Sequence, residues 1–399
     1  MSEFLAEQRT KKIPAILYVL MLAELYTISI SIAAASVIFG AMLLLLLAWS
    51  LIGRRWLLSG TALDYFFLAY IAIEFITTAT AVYPAQALYN TKRLLLISIV
   101  YIVLLSFVSR KKIERSLWLL FAVIAILSLG EIGYYFTSHE ARLYVFQIYM
   151  TTGGLKMIVC LLSIPFLLHS GVPKKIKIWI ALFLLPIFFA LLLTDTRSSW
   201  LGFLFGVFII SMLKNRLLML AEIGIVVLFF LFAPANQIDR AKSIVNPYHP
   251  TNIGRLHMWS TGMKIFADHP ILGVGDSDMH KIYMEYKSPD DVETGGHLHN
   301  DYIMLLVTLG SVGFLIVMAM FVKIGAVELS VFRHFSSDWL GSSVALGAFA
   351  ALCGFLVNGM FEWNFGDHEI MVFLWFTVGL TLAVQKTLRV ERISVKEIS

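Results

Sequence analysis

The chain has 399 residues, of which 59% are hydrophobic and 14% are charged, and its mean hydropathy is +0.82. These values exclude a water-soluble globular protein, and the length excludes a single-span protein. The net charge of +5 does not indicate nucleic-acid binding, because basic residues of membrane proteins concentrate in cytoplasmic loops. The two cysteines, Cys160 and Cys353, both lie in apolar runs, which argues against a disulfide framework and a thiolate metal site.

Apolar runs predict an all-α, polytopic integral membrane protein with about twelve transmembrane helices, organised as a single transmembrane domain over residues 1–399. An even number of spans returns both termini to one side of the membrane. The predicted spans lie near 13–29, 31–52, 57–80, 94–109, 117–137, 153–169, 176–194, 198–213, 216–233, 300–323, 339–360 and 368–385.

The distribution of Lys and Arg predicts the orientation. With a cytoplasmic N-terminus, every inside loop is basic and the inside segments hold 20 of the 31 basic residues, as the positive-inside rule requires. Both termini are therefore predicted to be cytoplasmic. Eleven basic residues remain that this rule does not explain: Lys92, Arg93, Arg142, Lys156, Arg197, Arg240, Lys242, Arg255, Lys264, Lys281 and Lys287.

One large outer loop, residues 234–299, separates the ninth and tenth predicted spans, and loops of this length are usually functional. Two short helices are expected inside it. Asn252 can cap the first, which ends at Asp268, and Asp276 or Ser277 can cap the second. Their apolar positions repeat at three and four residues: Leu256, Trp259, Met263 and Phe266 in the first, and Met279, Ile282, Tyr283 and Tyr286 in the second.

The stretch from Gly296 to Ile303 joins this loop to the tenth span. Asn300 is a good N-cap for a helix that runs from there through the membrane. At about 100° per residue, a regular helix would place Gly310 and Gly313 on the same face as His299, where small residues let a neighbouring helix approach. The imidazole is therefore expected at the water–lipid boundary, facing the interior of the bundle.

Two arginines on the outer side have both an ordinary and a functional interpretation. Arg197 lies in a short polar corner before an apolar span, where it could reach lipid headgroups beside Trp200. Arg255 could be a plain exposed loop residue. Alternatively, each guanidinium lies near the start of a helix and adds its donors to free backbone N–H groups, an arrangement that suits phosphate. Together they would suit a diphosphate better than either does alone.

His299 could be an ordinary polar residue, but its place after a diglycine and beside a helix cap favours a general base. A metal site is the competing reading of the same region. Asp276-Ser277-Asp278 has a D-x-D spacing, although helix capping explains it more simply. The other histidines available to a metal are His249, His257, His269, His280 and His297.

Charged residues inside apolar runs are costly, roughly 2.5–3.5 kcal/mol each at mid-bilayer on insertion scales. Four residues of this kind are present: Asp64, Glu74, Glu131 and Lys156. They form either a transport path or structural ion pairs, and the sequence alone does not show which of them pair. A second group lies between the last two spans, near the expected level of His299: Glu362, Asp367, His368 and Glu369. A carboxylate there could orient the imidazole or bind an acceptor hydroxyl.

The segment His299-Asn300, nine residues, Gly310, two residues, Gly313 fits the pattern H-[NSQ]-x9-G-x-x-[GTY] and resembles the bacterial O-antigen ligases, within the O-antigen ligase and polymerase superfamily. The twelve spans, the large outer loop, Arg197 in its corner, and Arg255 followed by Pro270-Ile271-Leu272-Gly273-Val274-Gly275 are also similar to this family. The specific motifs occupy about 194–200 and 254–313.

The resemblance implies a transferase at the periplasmic face of the bacterial inner membrane. It would move a glycan from undecaprenyl diphosphate to a sugar hydroxyl of lipid A-core, with inversion, without a metal or another cofactor. By position, His299 would be the general base, and Arg197 and Arg255 would hold the diphosphate. Asp367 is the expected supporting carboxylate, and Asn300 and Arg93 are further supporting candidates.

Three rival functions remain open. O-antigen polymerases of the superfamily carry an R-x10-G spacing, whereas neither Arg197 nor Arg255 has a glycine eleven positions later. Protein oligosaccharyltransferases share the histidine helix but are generally longer. A transporter of lipid-linked glycans would explain the buried charges but not the large outer loop.

Overall fold

A computed structural model describes residues 2–53, 60–138 and 140–398, with side chains for 12–51, 60–138 and 140–393. Arg54 and Arg55, which the orientation prediction counts as cytoplasmic, lie outside the described residues. The side chains of Arg9, Lys11 and Lys396 do so as well.

The described residues form helices joined by turns and loops, and they contain no strand. A 3-10 segment, Thr91–Ile97, joins α4 to α5. The helices are α1 (Ser2–Thr27), α2 (Ile32–Gly53), α3 (Asp64–Ala79), α4 (Pro84–Asn90), α5 (Ser98–Ser106), α6 (Arg110–Ser138), α7 (Tyr149–Leu168), α8 (Lys174–Leu193), α9 (Arg197–Lys214), α10 (Leu217–Phe232), α11 (Ala235–Lys242), α12 (Pro250–Asp268), α13 (Met279–Tyr286), α14 (Asp301–His334), α15 (Trp339–Asn358) and α16 (His368–Ile398).

The expected class of polytopic, all-α membrane protein is confirmed. Each of the twelve predicted spans overlaps a helical segment. Within the described ranges nine helical stretches are long and apolar enough to cross a membrane, so the number twelve stays a prediction. Two of the others, α3 and α10, have 16 residues each, which is short of the roughly 20 that a hydrocarbon core requires.

Three helices, α7, α9 and α15, form the centre of the bundle through small residues. A Cβ on Gly347 of α15 would lie 2.8 Å from the backbone of Leu162 in α7. Similarly, a Cβ on Gly202 of α9 would lie 2.5 Å from the carbonyl oxygen of Gly354 in α15. These glycines let the helix backbones touch, which is how helices associate where no hydrophobic effect drives them together.

The charges inside the apolar runs have specific partners. Lys156 Nζ lies 2.7 Å from Glu131 Oε2, which joins α7 to α6. Glu74 pairs with Arg93, and Tyr101 Oη donates to Asp64 Oδ1 at 2.7 Å. These two carboxylate–cation contacts, Lys156–Glu131 and Glu74–Arg93, join neighbouring helical segments, as the ion-pair interpretation of these charges expects.

The helix of the histidine motif is broken at Gly310, where φ is 64° and ψ is −172°. The segment 270–275 fills the break with backbone hydrogen bonds. Val274 N donates to Val307 O at 2.9 Å, and Ser311 N donates to Pro270 O at 2.9 Å. Groups that an unbroken helix would pair internally are thus satisfied by the outer loop.

Glycine is required on both sides of this contact. A Cβ on Gly310 would lie 2.2 Å from Ile271 O, and a Cβ on Gly273, where φ is 67°, would lie 2.5 Å from Val307 O. The expectation that Gly310 admits a neighbouring helix on a regular helical face is therefore wrong, because the glycine breaks the helix and admits a loop. Gly313 does face a helix, with Ile73 of α3 3.4 Å from its Cβ position.

Between α10 and α14 the chain forms α11, α12 and α13, none of which is a membrane-span candidate among the described helices. The two predicted loop helices are present as α12 and α13, but their caps were predicted wrongly. His249 is the N-cap of α12, not Asn252. Asp278, rather than Asp276 or Ser277, caps α13, and its side chain accepts from Lys281 N.

Candidate functional site

His299 lies just outside the helix that its motif begins. Asn300 is the N-cap of α14, and its Oδ1 accepts from Ile303 N at 3.0 Å, so the predicted cap is confirmed. His299 has a φ of 47°, a left-handed conformation that is uncommon for a residue with a side chain and that clusters at functional sites. The predicted helical alignment of His299 with Gly310 is wrong for the same reason.

The residues after His299 fasten the motif to the turn that follows α15. Asn300 Nδ2 donates to Met360 O at 2.8 Å, and Asp301 N donates to Gly359 O at 2.7 Å. In the other direction, Phe365 N donates to Asp301 Oδ1 at 3.1 Å. These bonds fix the α15–α16 loop against the histidine.

This loop places Glu362 directly on the imidazole. Glu362 Oε1 lies 2.7 Å from His299 Nδ1, and Glu362 Oε2 lies 3.7 Å from Arg255. Burial alone would raise the pKa of the Glu362 carboxyl, but the hydrogen bond and the charges of His299 and Arg255 outweigh it and hold the pKa below 4.5. An ionised carboxylate only accepts, so in the neutral imidazole Nδ1 carries the proton and the lone pair lies on Nε2.

His297 is the second imidazole of the site. Its ring centroid lies 4.1 Å from that of His299. Burial lowers the pKa of His297 and the charge of His299 lowers it further, against the opposing effect of Glu362. The ring is therefore held toward its neutral form beside the His299–Glu362 pair.

Arg197 is the first residue of α9 and is buried, with 6% of its surface exposed. Its guanidinium donates to Ser243 O and Oγ at 2.8 and 2.9 Å, and to Thr251 Oγ1 and Asn252 Oδ1 at 2.8 Å each. All four acceptors are neutral groups of the outer loop. Within the described residues no carboxylate balances this guanidinium, which is unusual for a buried charge.

Arg197 and Arg255 line one cavity of about 230 Å³ together with Trp259 and Phe361. Arg255 lies in the second turn of α12, because that helix begins at Pro250. Arg255 also reaches Glu362, which contacts His299. The three residues predicted from the sequence are thus connected. Arg197 and Arg255 share one cavity, and the Glu362 carboxylate links Arg255 to His299.

Two more arginines extend the positive region, and they belong to the outer basic residues that orientation did not explain. Arg142 donates to Thr194 O at 3.0 Å and to Asp195 O at 2.8 Å, and Arg240 donates to Asp195 O at 3.2 Å. Burial, reinforced by the charge of Arg240, lowers the pKa of Arg142 to about 10. Both are among the eleven basic residues that the positive-inside rule does not explain, and this is the sequence signal that could have identified them as site residues.

Asp367 does not contact the imidazole. Its Oδ2 accepts from Thr151 Oγ1 at 2.6 Å, and its Oδ1 accepts from Glu369 N and Ile370 N at 3.1 Å each. It therefore holds the start of α16, and the carboxylate next to His299 is Glu362. Both belong to the acidic group predicted between the last two spans, and the structure places Glu362 rather than Asp367 against the imidazole.

Arg93 lies between α3 and the long loop 234–299. Besides Glu74 it binds Asp276, at 3.0 Å, and its guanidinium carbon lies 6.0 Å from the rings of Trp363 and Phe365. It thus supports the two segments that carry the site. The pairing also occupies Asp276 of the D-x-D sequence, whose other member, Asp278, caps α13.

A large apolar chamber adjoins the arginine cavity. It has a volume of about 750 Å³, lies among α8, α9, α10 and α11, and shares Leu201 and Ile244 with the cavity of Arg197. Several of its lining side chains are half-exposed, including Phe189 and Leu228. The chamber therefore opens to the apolar flank of the protein.

Comparison with known families gives one match. Residues 181–318 match the family model Wzy_C, described as O-Antigen ligase. This region runs from within α8 to within α14 and contains Arg197, Arg255 and His299. No curated protein matches the chain. The family expected from the histidine motif is thereby confirmed, and the chain carries, over residues 181–318, the domain of the O-antigen ligase family, within the O-antigen ligase and polymerase superfamily.

Proposed function

We propose that the protein is an O-antigen ligase. It transfers O-antigen glycan from undecaprenyl diphosphate to a sugar hydroxyl of lipid A-core at the periplasmic face of the bacterial inner membrane, with both termini in the cytoplasm. The observation that carries the proposal is the His299–Glu362 pair. Glu362 also contacts Arg255, which lines a cavity together with Arg197. The family match supports a membrane glycosyltransferase.

In this proposal His299 is the general base. Glu362 holds the Nδ1 proton, so Nε2 accepts the proton of the acceptor hydroxyl. The acceptor oxygen then bonds to the anomeric carbon of the donor sugar, while the bond from that carbon to the diphosphate oxygen breaks. Attack from the face opposite the leaving group inverts the anomeric centre. The products are the glycan joined to lipid A-core and free undecaprenyl diphosphate.

Arg197 and Arg255 neutralise the diphosphate that leaves. Negative charge grows on the bridging oxygen as the glycosidic bond breaks, and fixed guanidinium donors stabilise it without reorganisation. Arg197 suits this role because its present partners are neutral and a diphosphate offers it stronger, charged acceptors. Arg142 and Arg240 add to the positive field around the same corner. This chemistry requires no metal and no cofactor.

The apolar chamber supports a lipid-linked donor. A polyprenyl tail is a long hydrocarbon that must stay out of water, and the chamber offers about 750 Å³ beside the arginine cavity. The shared residues Leu201 and Ile244 lie where the tail would join the diphosphate. A transporter is a weaker alternative, because three of the four buried charges that motivated it lie in ion pairs, Lys156 with Glu131 and Glu74 with Arg93.

The test is a reconstitution with defined substrates. Purified protein in liposomes should join undecaprenyl-diphosphate glycan to lipid A-core in the presence of a chelator. Lengthening of carrier-linked glycan without lipid A-core would instead show a polymerase, and transfer to a protein acceptor would show an oligosaccharyltransferase. Transfer that stops when divalent ions are removed would contradict the metal-free mechanism.

A further inference from the structure

Three potential metal ligands converge at the candidate site. His297, His299 and Glu362 each offer one ligand atom, and these atoms all lie within 4.8 Å of one another. The imidazole rings are 4.1 Å apart between centroids. Glu362 Oε2 is buried and accepts no hydrogen bond from the described residues, so one strong acceptor of this group is left without a hydrogen-bond donor.

We infer that His297, His299 and Glu362 form an inhibitory binding site for a divalent transition metal of the Zn²⁺ class. Two imidazoles and one carboxylate are a ligand set that Zn²⁺ takes, with a fourth position left for water. At Zn–ligand distances of about 2.0–2.2 Å, tetrahedral ligands lie roughly 3.3 Å apart. An ion therefore fits after side-chain movements of about 1 Å.

The backbone prepares this arrangement. The left-handed conformation of His299 brings its ring against that of His297, two residues earlier. Glu362 is held by the bonds that fasten its loop to Asn300 and Asp301. Because the three ligands are ordered before binding, an ion loses less affinity to side-chain ordering than at a flexible surface.

The cation nearest to this group weakens the site. Arg255 lies 3.7 Å from Glu362 and competes with an ion for the carboxylate, while its own charge repels the ion. Removing the charge of Arg255 should therefore strengthen metal binding, although the same change should weaken binding of a diphosphate.

The inhibitory part rests on the proposed function. A metal bound to the His299 ring occupies a nitrogen lone pair and pulls the imidazole away from the acceptor hydroxyl. Transfer would then stop while donor binding at Arg197 continues. This is the opposite of a metal-dependent enzyme, because a chelator would raise activity rather than abolish it.

Binding is measured first, without any transfer assay. Detergent-purified protein stripped with a chelator is titrated with Zn²⁺ by calorimetry, and with Co²⁺ by visible absorption, which reports tetrahedral ligation. His297→Phe keeps an aromatic ring but removes a ligand, so we expect binding at least about tenfold weaker, with loss of the tetrahedral Co²⁺ spectrum. His257→Phe, at an exposed histidine on α12, is the matched control and should bind like the wild type.

Arg255→Gln should bind Zn²⁺ more tightly than the wild type. His297→Gln provides a second, polar variant in case the Phe variant does not fold. The site is refuted if wild-type protein shows no Zn²⁺ binding below about 100 μM, or if both His297 variants bind as the wild type does.

Transfer in liposomes then tests inhibition. Zn²⁺ should inhibit the wild type, and a chelator should restore the rate. In His297→Phe, Zn²⁺ should cause little inhibition relative to that variant's own metal-free rate, whatever that rate is. A wild type that binds Zn²⁺ yet transfers at the full rate would overturn the inhibitory role. If no condition gives transfer, the proposed function fails, and the binding measurements still decide whether the metal site exists.

Discussion

His299 Nδ1 and Glu362 Oε1 lie 2.7 Å apart although 63 residues separate them in the chain. The contact forms because the chain on each side is fastened, at Asn300 and Asp301 on one segment and at Met360 and Phe365 on the other. An imidazole held in this way keeps one tautomer and one orientation. Much of the proposed chemistry depends on this pairing.

Removal of the imidazole tests the general base. We expect His299→Gln to lower the rate of transfer by about 10²- to 10⁴-fold, the range over which a positioned base contributes. Donor binding should be nearly unchanged, because the arginine cavity is intact. His257→Gln, an exposed histidine of the same loop, should transfer at the wild-type rate. Equal rates for His299→Gln and the wild type would exclude His299 as the base.

Two carboxylates of the α15–α16 loop can be compared directly. Glu362→Gln places an amide against Nδ1 and can favour the wrong tautomer, so we expect kcat to fall by about 10²-fold or more with little change in KM. Asp367→Asn should instead reduce thermal stability, since Asp367 holds the start of α16, while kcat changes little. The reverse pattern would favour Asp367 as the supporting carboxylate.

The arginine cavity predicts a donor-binding defect. Arg255→Lys keeps the charge but loses the planar fork, and a lost hydrogen bond to a charged group is worth about 1.5–3 kcal/mol. We therefore expect binding of undecaprenyl diphosphate to weaken by roughly 10- to 100-fold, measured with the free diphosphate. Lys264→Gln, at an exposed position of the same helix, is the control. Unchanged binding in Arg255→Lys would place the diphosphate elsewhere.

The helix break predicts a local stability effect. Gly310→Ala puts a Cβ 2.2 Å from Ile271 O at a positive φ, so we expect destabilisation of about 1–3 kcal/mol from backbone strain alone, and faster proteolysis of the segment 270–275. Gly130→Ala in α6, where a Cβ meets nothing within 4 Å, should be neutral or stabilising. Similar melting temperatures for both variants would show that the break is tolerant.

The lowered pKa of Glu362 predicts a pH dependence. The folded pKa lies below the ordinary value of 4.5, so the carboxylate contributes stability above that pH, and the contribution is lost as pH falls through the folded pKa. The difference in melting temperature between wild type and Glu362→Gln should therefore persist at neutral pH and shrink below about pH 4.5. Thermal unfolding in detergent from pH 7 to pH 3.5 measures it, and a difference that grows below pH 4.5 would contradict the pKa shift.

The membrane helices were predictable because a lipid solvent demands long apolar runs with internally paired backbones. The cap at Asn300 was predictable for a local reason, since its side chain bonds three residues ahead. The break at Gly310 was not. A glycine inside an apolar run indicates close packing as readily as a break, and the bonds that decide between them come from Pro270 and Val274, which are remote in sequence.

The sequence marks three site candidates, Arg197, Arg255 and His299. Each is a charged or titratable residue near the outer end of a helix, where placing such a group costs free energy unless it has a role. That these three side chains lie near one another depends on tertiary contacts, which the spacing of residues along the sequence does not reveal. Glu362 and Asp367 look alike in sequence, and only the docking of their loop on Asn300 and Asp301 separates them. The sequence offers His297 as a candidate metal ligand, but the contact of its ring with His299 depends on a single left-handed residue, which spacing does not predict.

Under the proposed function, the chamber among α8, α9, α10 and α11 determines how enzyme and donor meet. A carrier whose tail remains in lipid while its headgroup reaches Arg197 approaches by diffusion in two dimensions, through the side of the bundle. The frequency of encounters then follows the mole fraction of carrier in the bilayer. Diluting the liposomes in buffer should leave the initial turnover unchanged, whereas diluting the carrier with other lipid should slow it in proportion.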